Sequence, residues 1–522
     1  MSSDRESRPP EWVADAIFYQ IFPDRFARHH GAEGHNLEPW EARPTIYGFK
    51  GGTLRGIKER LDYLQELGVN ALYLNPIFQS PANHRYHTHD YFRVDPILGG
   101  KGEFDALIAE SHRRGIRIVL DGVFNHVGRG FYQFNHVLEN GASSPYVDWF
   151  HLNPDHLEDE DGVVAFPGRE HREKLGSVGG SYDVLGYRAW ADLPPLPKLN
   201  TDNEEVRELL FRVSEYWVEQ GIDGWRLDVP EEIDDREFWR EFRRRVRAVN
   251  PEVYLVGEIW THAAEWLEGD RFDAVMNYPF SRTLLGFLGG EALETDFTPG
   301  GFPLTRIDGT ELARHIAAHL EGYRPATNLA QLNLLGSHDT PRLLTLLSGD
   351  RGRAALATLF LFLLPGAPSI YYGDEVGMAG GEDPGCRGGF RWDREAWDEP
   401  LLESFRSAIA LRKSRPAIRR GAYRALSSGE DHIVVARHKE GELVVGAFNR
   451  STEEQKVRFS MEELPKEFRG VSLRGKLLLT GSEATPALSG APRPVTFGAG
   501  EITLSLPPLS GSVYVAGDPG AA

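Results

Sequence analysis

One arrangement repeats along this chain. A short apolar run that reads as a strand is followed by a stretch with helical spacing, with Gly or Pro at the joints. Eight such strands fall at residues 16–22, 69–75, 116–123, 221–229, 253–258, 272–278, 329–338 and 367–372. The helical stretches include 54–67, where Leu54, Ile57, Leu61, Leu64 and Leu67 share one stripe. Others are 104–114, 206–220, 237–249, 311–320 and 354–364. A helix between most successive strands returns the chain across the sheet, so those strands must pair in parallel. Eight such units favour a closed (β/α)8, or TIM, barrel. The alternative is an open doubly wound sheet. That fold normally places a Gly-rich phosphate loop after its first strand, and Ile21-Phe22-Pro23-Asp24-Arg25 is not one.

The alternation breaks once and then ends. Residues 127–197 are rich in Gly, Pro and aromatics and hold an acidic run at 158–161. A plain loop of that length is improbable in a compact domain, so it reads as a small domain inserted after the third strand. The barrel is then expected over 11–126 and 198–400, preceded by a disordered tail at 1–10. From 401 to 522 one helix gives way to short alternating runs, the pattern of a separate antiparallel β-sandwich domain.

Strands of such a barrel should be apolar, yet four of these end in polar groups. Arg226 and Asp228 lie two residues apart, so both face the same side of the fourth strand. Burying them costs several kcal/mol unless they pair or do chemistry. A structural ion pair would explain one such strand, not a recurrence. The third strand ends in Asp121, Asn125 and His126, the fifth in Glu258 with Trp260 beyond, and the seventh in His338 and Asp339. Barrel active sites lie at these C-terminal strand ends. A metal site built from His126, His338 and the carboxylates is a competing reading, but the two histidines lack the close helical spacing of a zinc hydrolase. Asp228, Glu258 and Asp339 suit glycoside hydrolysis, in which one carboxylate attacks, one carboxylic acid protonates the leaving oxygen and a third steadies developing positive charge. Arg226 is expected to lower the Asp228 pKa and keep it ionised. The apolar neighbours Ile259 and Trp260 are expected to raise that of Glu258.

Composition narrows the partners. Lys plus Arg number 58 against 77 Asp plus Glu, a net charge of −19, which argues against nucleic acid or an anionic membrane. The only cysteine is Cys386, so no intrachain disulfide or cysteine metal cluster can form. No apolar run reaches the roughly 18 residues of a membrane span, and residues 1–10 show no secretory signal. A cytoplasmic location is expected.

The motifs DGVFNH at 121–126, GWRLDV at 224–229, GEIW at 257–260 and GSHDT at 336–340 resemble, in order and spacing, the four motifs of glycoside hydrolase family 13, the α-amylase family. Nearly the whole chain takes part in the resemblance. LPKLN at 196–200, FDAVMNY at 272–278 and DPGCR at 383–387 are similar to the neopullulanase, cyclomaltodextrinase and maltogenic amylase group. The resemblance implies Asp228 as nucleophile, Glu258 as acid/base and Asp339 as transition-state stabiliser. It implies that Arg226, His126 and His338 bind the sugar at the cleavage point and that Tyr86 stacks on it. Asp383 and Arg387 would hold the next sugar, Trp260 would line the leaving-group side, and Asp121 is counted with the substrate-binding residues. The implied activity is retaining hydrolysis of α-1,4 bonds in maltooligosaccharides, cyclodextrins or starch, with pullulan a further candidate. Transglycosylation on the same scaffold is the alternative. A non-catalytic carbohydrate-binding relative is the remote one, since it would not need three ionisable carboxylates in one cleft. The partner is thus an α-glucan, with no nucleic acid and no membrane, and the oligomeric state is left open. No cofactor is required, and a structural calcium is expected, if anywhere, at Asn125.

Three departures stand out. The barrel begins near Trp12, where the group usually carries an N-terminal β domain that builds a dimer. After Asp228 comes Val229-Pro230-Glu231-Glu232 in place of the group's small residue, Asn and Glu. His87 stands where the group often has Asp.

Overall fold

The computed structural model describes residues 8–30, 36–158, 162–480, 487–488, 495–498 and 500–516. The tail expected at 1–10 lies mostly outside the described residues, as does most of the acidic run at 158–161.

Eight parallel strands form the central sheet. They are β1 (Phe18–Ile21), β2 (Ala71–Leu74), β3 (Arg117–Gly122), β4 (Gly224–Leu227), β5 (Tyr254–Gly257), β6 (Ala274–Val275), β7 (Leu332–Leu334) and β8 (Ala367–Tyr371). Their order is β6-β5-β4-β3-β2-β1-β8-β7. A parallel bridge between Met276 and Leu332, backed by Asn277 N–H donating to the Leu332 carbonyl at 2.9 Å, joins the two end strands. The sheet is a barrel and not an open one.

Two strands are shorter than their apolar runs. The sixth, expected at 272–278, pairs only over Ala274–Val275 because Tyr278 already starts the helix Tyr278–Leu288. The seventh, expected at 329–338, keeps Leu332–Leu334 because Pro325 starts the helix Pro325–Ala330. The stripe at 54–67 is two helices, Leu54–Glu59 and Leu61–Leu67, divided at Arg60. Thr53 caps the first by accepting from Gly56 N, and Gly68, at φ 99°, ends the second.

The pleat decides where the site is. Phe18, Ala71, Val119, Tyr254, Ala274 and Leu332 fill the lower barrel with apolar bulk. Trp12, on the turn Glu11–Asp15, packs against Phe18 and Tyr254 beneath them. Two residues further along, the inward positions are Gln20, Tyr73, Asp121 and Arg226, paired in register as Gln20 with Tyr73 and Asp121 with Arg226. The upper layer is therefore polar, and the chemistry can collect only at that end.

The inserted segment after β3 contains the helices Tyr132–Asn140, Arg169–Lys174 and Ser181–Leu185. Phe134 packs edge-on to Phe150 and Tyr187 within it. Antiparallel bridges from His126 to Lys198 and from Phe150 to Leu199 seat it beside the strand ends. Beyond the helix Glu399–Ser414, antiparallel sheets of six and three strands enclose a second core that includes Val434, Val445, Phe459, Ile502 and Tyr514. Among the described residues no helix is long and apolar enough to cross a membrane.

Candidate active site

A cleft of about 430 Å³ opens above the polar layer, a size typical of small-ligand sites. Asp228, Glu258, His338 and Asp339 line it together with Tyr86, His126, Trp260, Asp383 and Arg387. So do residues from the insertion, among them Trp190 and Leu193.

Arg226 organises the floor. Its buried guanidinium holds Asp121 Oδ1 and Asp228 Oδ1 on Nη1, each at 2.8 Å, and faces Glu258 Oε2 with Nη2 at 2.9 Å. One cation therefore serves three carboxyls, two of which face the cleft. Their oxygens sit on neighbouring nitrogens of one planar group, which keeps them within several ångströms of each other. Asp228 lies just past β4, its N–H donating to the Gly122 carbonyl at 3.1 Å. Glu258 lies just past β5 and accepts Val229 N–H on Oε2 at 3.1 Å and Trp260 Nε1–H on Oε1 at 3.3 Å. The Trp260 ring is stacked on Tyr278, with centroids 3.6 Å apart.

Electrostatics follow from this crowding. Burial pushes the Glu258 carboxyl up to about 7, with Arg226 pulling against it and Asp339 and Asp121 adding to the rise. The upward direction agrees with the sequence reading. The direction expected for Asp228 does not hold: burial outweighs the lowering by Arg226, Glu258 and Asp121 add repulsion, and the net direction is upward. Two cleft carboxyls on one guanidinium titrate as a pair.

Asp339 stands beyond β7. Its Oδ1 accepts from Arg387 Nη2 and its Oδ2 lies beside His338 Nε2, both at 3.1 Å. Arg387 also pairs with Asp383 at 3.0 Å and donates from Nε to the His338 carbonyl at 2.9 Å. The Gln20 amide donates to His338 Nδ1 at 2.8 Å, so the ring proton sits on Nε2, toward Tyr86 and Asp339. Burial, with Arg387 and Arg226 nearby, holds the His338 pKa well below the ordinary histidine value, so the ring is neutral. Tyr86 lies parallel to His338 with centroids 5.5 Å apart. His126 stacks on Trp190, burial lowers its pKa to about 3, and its Nε2 has no hydrogen-bond partner among the described residues.

Asp121 and Arg226 are the exceptions among the expected contact residues: neither lines the cleft, and Arg226 is fully buried beneath it. Asp121 is 1% exposed. It accepts from Tyr73 and Tyr86 hydroxyls at 2.7 and 2.8 Å and from Arg226, so it braces the floor from beneath. Asn125 turns its amide toward His126 Nδ1 at 3.2 Å. Among the described residues no group of three or more His, Cys, Asp or Glu side chains is placed to hold a metal ion.

Sequence reading missed Gln20, Tyr73, Asn75, whose amide donates to the Tyr86 hydroxyl at 3.0 Å, and the cleft-lining His84 and Trp190. A polar residue inside the apolar run of β1 marks Gln20, and the strand-end rule applied to the second strand would have found Tyr73 and Asn75. Trp190 belongs to the insertion, which carries no periodicity to read. His87 does line the cleft, where burial and Arg129 lower its pKa to about 4.

Comparison with known proteins gives this site its family. The model of the α-amylase catalytic domain matches residues 20–415. The chain is 42% identical over 477 residues to a cyclomaltodextrinase of Geobacillus thermopakistaniensis, covering 90% of this chain and 74% of the relative. It is 42% identical over 451 residues to neopullulanase 2 of Thermoactinomyces vulgaris, covering 86% and 69%. The solved cyclic α-maltosyl-(1→6)-maltose hydrolase of Arthrobacter globiformis superposes with a TM-score of 0.80 at 38% identity, covering 97% of this chain and 100% of that one. With four strand-end motifs converging on one cleft and these matches along most of its length, the chain belongs to the α-amylase family of glycoside hydrolases.

Proposed function

We propose that the protein hydrolyses α-1,4 glucosidic bonds of maltooligosaccharides, cyclodextrins or starch with retention of configuration. The observation that carries this reading is the shared guanidinium. Asp228 and Glu258 are held close together by Arg226, while Asp339 faces the same cleft from beyond β7. Close carboxyls suit a double displacement.

In this reading the Asp228 carboxylate attacks the anomeric carbon as the bond to the leaving oxygen breaks. Glu258 gives its proton to that oxygen, and the leaving sugar departs as an alcohol. A covalent glucosyl-enzyme remains. Glu258, now ionised, takes a proton from water, the water oxygen attacks the same carbon, and Asp228 is released. The Asp339 carboxylate steadies the positive charge that develops in both steps. His126 presents its Nε2 to sugar hydroxyls, while His338, whose Nε2–H is held by the Tyr86 hydroxyl, lines the cleavage point. Tyr86 presents its ring to a sugar face, Asp383 and Arg387 bind the next sugar, and Trp260 lines the leaving-group side.

The names of two relatives widen the substrate test, since one is a neopullulanase and the other hydrolyses an α-(1→6)-linked ring. Initial rates on β-cyclodextrin, soluble starch and pullulan at equal mass rank the three. Product analysis separates transfer to water from transfer to a second sugar. Glucan cleavage that survives Asp228→Asn would overturn the nucleophile assignment.

A further inference from the structure

We infer that Val229 is a positioning residue whose left-handed backbone turns its N–H onto Oε2 of Glu258 and so directs the acid proton to Oε1, on the Trp260 side of the cleft. The inference rests on the acid role proposed for Glu258.

Val229 follows Asp228 directly and has φ 34°, ψ 52°. Among the described residues seven non-glycine residues have positive φ, and Val229 is the only β-branched one. A branched side chain in this region is crowded by its own backbone, and such a conformation persists only where the surroundings impose it. The surroundings here are specific. The β4 ladder ends with Asp228 N–H on Gly122 and Glu258 N–H on Leu227 at 2.9 Å. The chain then turns, with Glu232 N–H donating to the Val229 carbonyl at 3.0 Å. Pro230 sets its own φ, and Glu232 is tied to Lys198 at 2.6 Å. Released from the ladder, the Val229 N–H points to Glu258 Oε2 at 3.1 Å.

That contact has a chemical consequence. Oε2 meets a donor in Val229 N–H and a cation in Arg226 Nη2. A proton on Oε2 would face both. A proton on Oε1 leaves Oε2 free to accept, and Oε1 keeps a lone pair for the longer contact from Trp260 Nε1. The charged and titratable groups around Glu258 are Arg226 and Asp228 from β4, Asp121 from β3, Asp339 beyond β7 and Tyr278 beyond β6. Of these only Arg226 faces Oε2, and together with Val229 N–H it sets which oxygen carries the proton.

Val229→Gly tests this. Glycine adopts positive φ without strain and keeps the N–H, but it no longer confines the turn. The assay is the pH profile of kcat/KM on soluble starch and on an activated aryl maltoside, whose leaving group needs no protonation. The expected result is a loss of about tenfold on starch, near the effect of one hydrogen bond, with the aryl substrate almost unchanged. The basic limb should move to higher pH, because the ionised form of Glu258 has lost part of its donor. Val229→Ala retains the Cβ and should restore most of both. Val229→Asn, which tolerates this φ, serves if the glycine variant folds poorly. An unchanged starch-to-aryl ratio with an unmoved basic limb would overturn the inference. Glu258→Gln, measured alongside, separates the two levels. If it loses both substrates equally, the acid role itself fails. If it spares the aryl substrate while Val229→Gly does not, only the positioning role fails.

Discussion

Replacing Glu258 by Gln should make the protein more stable in mild alkali while disabling it. Glu258 is 6% exposed, and its carboxyl is pushed up to about 7 from an ordinary 4.5. At about 1.4 kcal/mol per pH unit, that gap corresponds to about 3 kcal/mol. The sign follows from the raised pKa. The group contributes full stability below about pH 4.5, where both folded and unfolded chains hold the proton, and loses it as pH rises through about 7. Between about pH 5.5 and about pH 8.5 the wild type should lose about 2 kcal/mol through this carboxyl. Gln has no such dependence. It also relieves Asp228, whose carboxyl Glu258 helps to push up. The amide can satisfy only one of the donors from Val229 and Trp260, a pH-independent cost of about 1 kcal/mol. Guanidinium melts of both proteins across that range measure the difference. The stability of the variant relative to wild type should climb by about 2 kcal/mol as pH rises. A difference that stays flat, or that grows toward acid, would refute the reasoning.

Arg226→Lys replaces a planar group that spans three carboxyls by a single ammonium, so about 2–4 kcal/mol of stability and at least about a hundredfold in kcat/KM should be lost, read by melts and starch hydrolysis. Gln20→Leu removes the donor that sets the His338 tautomer and should cost about tenfold in kcat/KM with little change in the pH limbs, since His338 remains neutral. Gly300→Ala places a Cβ 2.3 Å from the Trp260 ring at φ 61°. The ring must shift, so activity on starch should fall and the change in tryptophan fluorescence should report the displacement. If Gly300→Ala leaves fluorescence and activity alone, Trp260 does not define the leaving-group side.

Much of the molecule was legible from the chain itself because its signals are local. Eight apolar runs separated by helical stripes imply parallel strands, and polar residues at strand ends imply a mouth where they meet. The period of two along β4 puts Arg226 and Asp228 on one face in any register. Other features depend on residues far apart in sequence. The closure from Met276 to Leu332 chose the barrel over the open sheet. The stacking of Asp121 under Arg226 made it a brace and not a sugar contact. Desolvation reversed the expected direction for Asp228, because an adjacent arginine is visible in sequence and burial is not. Trp190 reached the cleft from an insertion without periodicity. The sequence by itself determined which residue types stand at the strand ends and on which face. Only the tertiary structure decided which of them share a cation, which face the cleft and which hold a proton, since those properties arise from distance and solvent exclusion between segments that never meet along the chain.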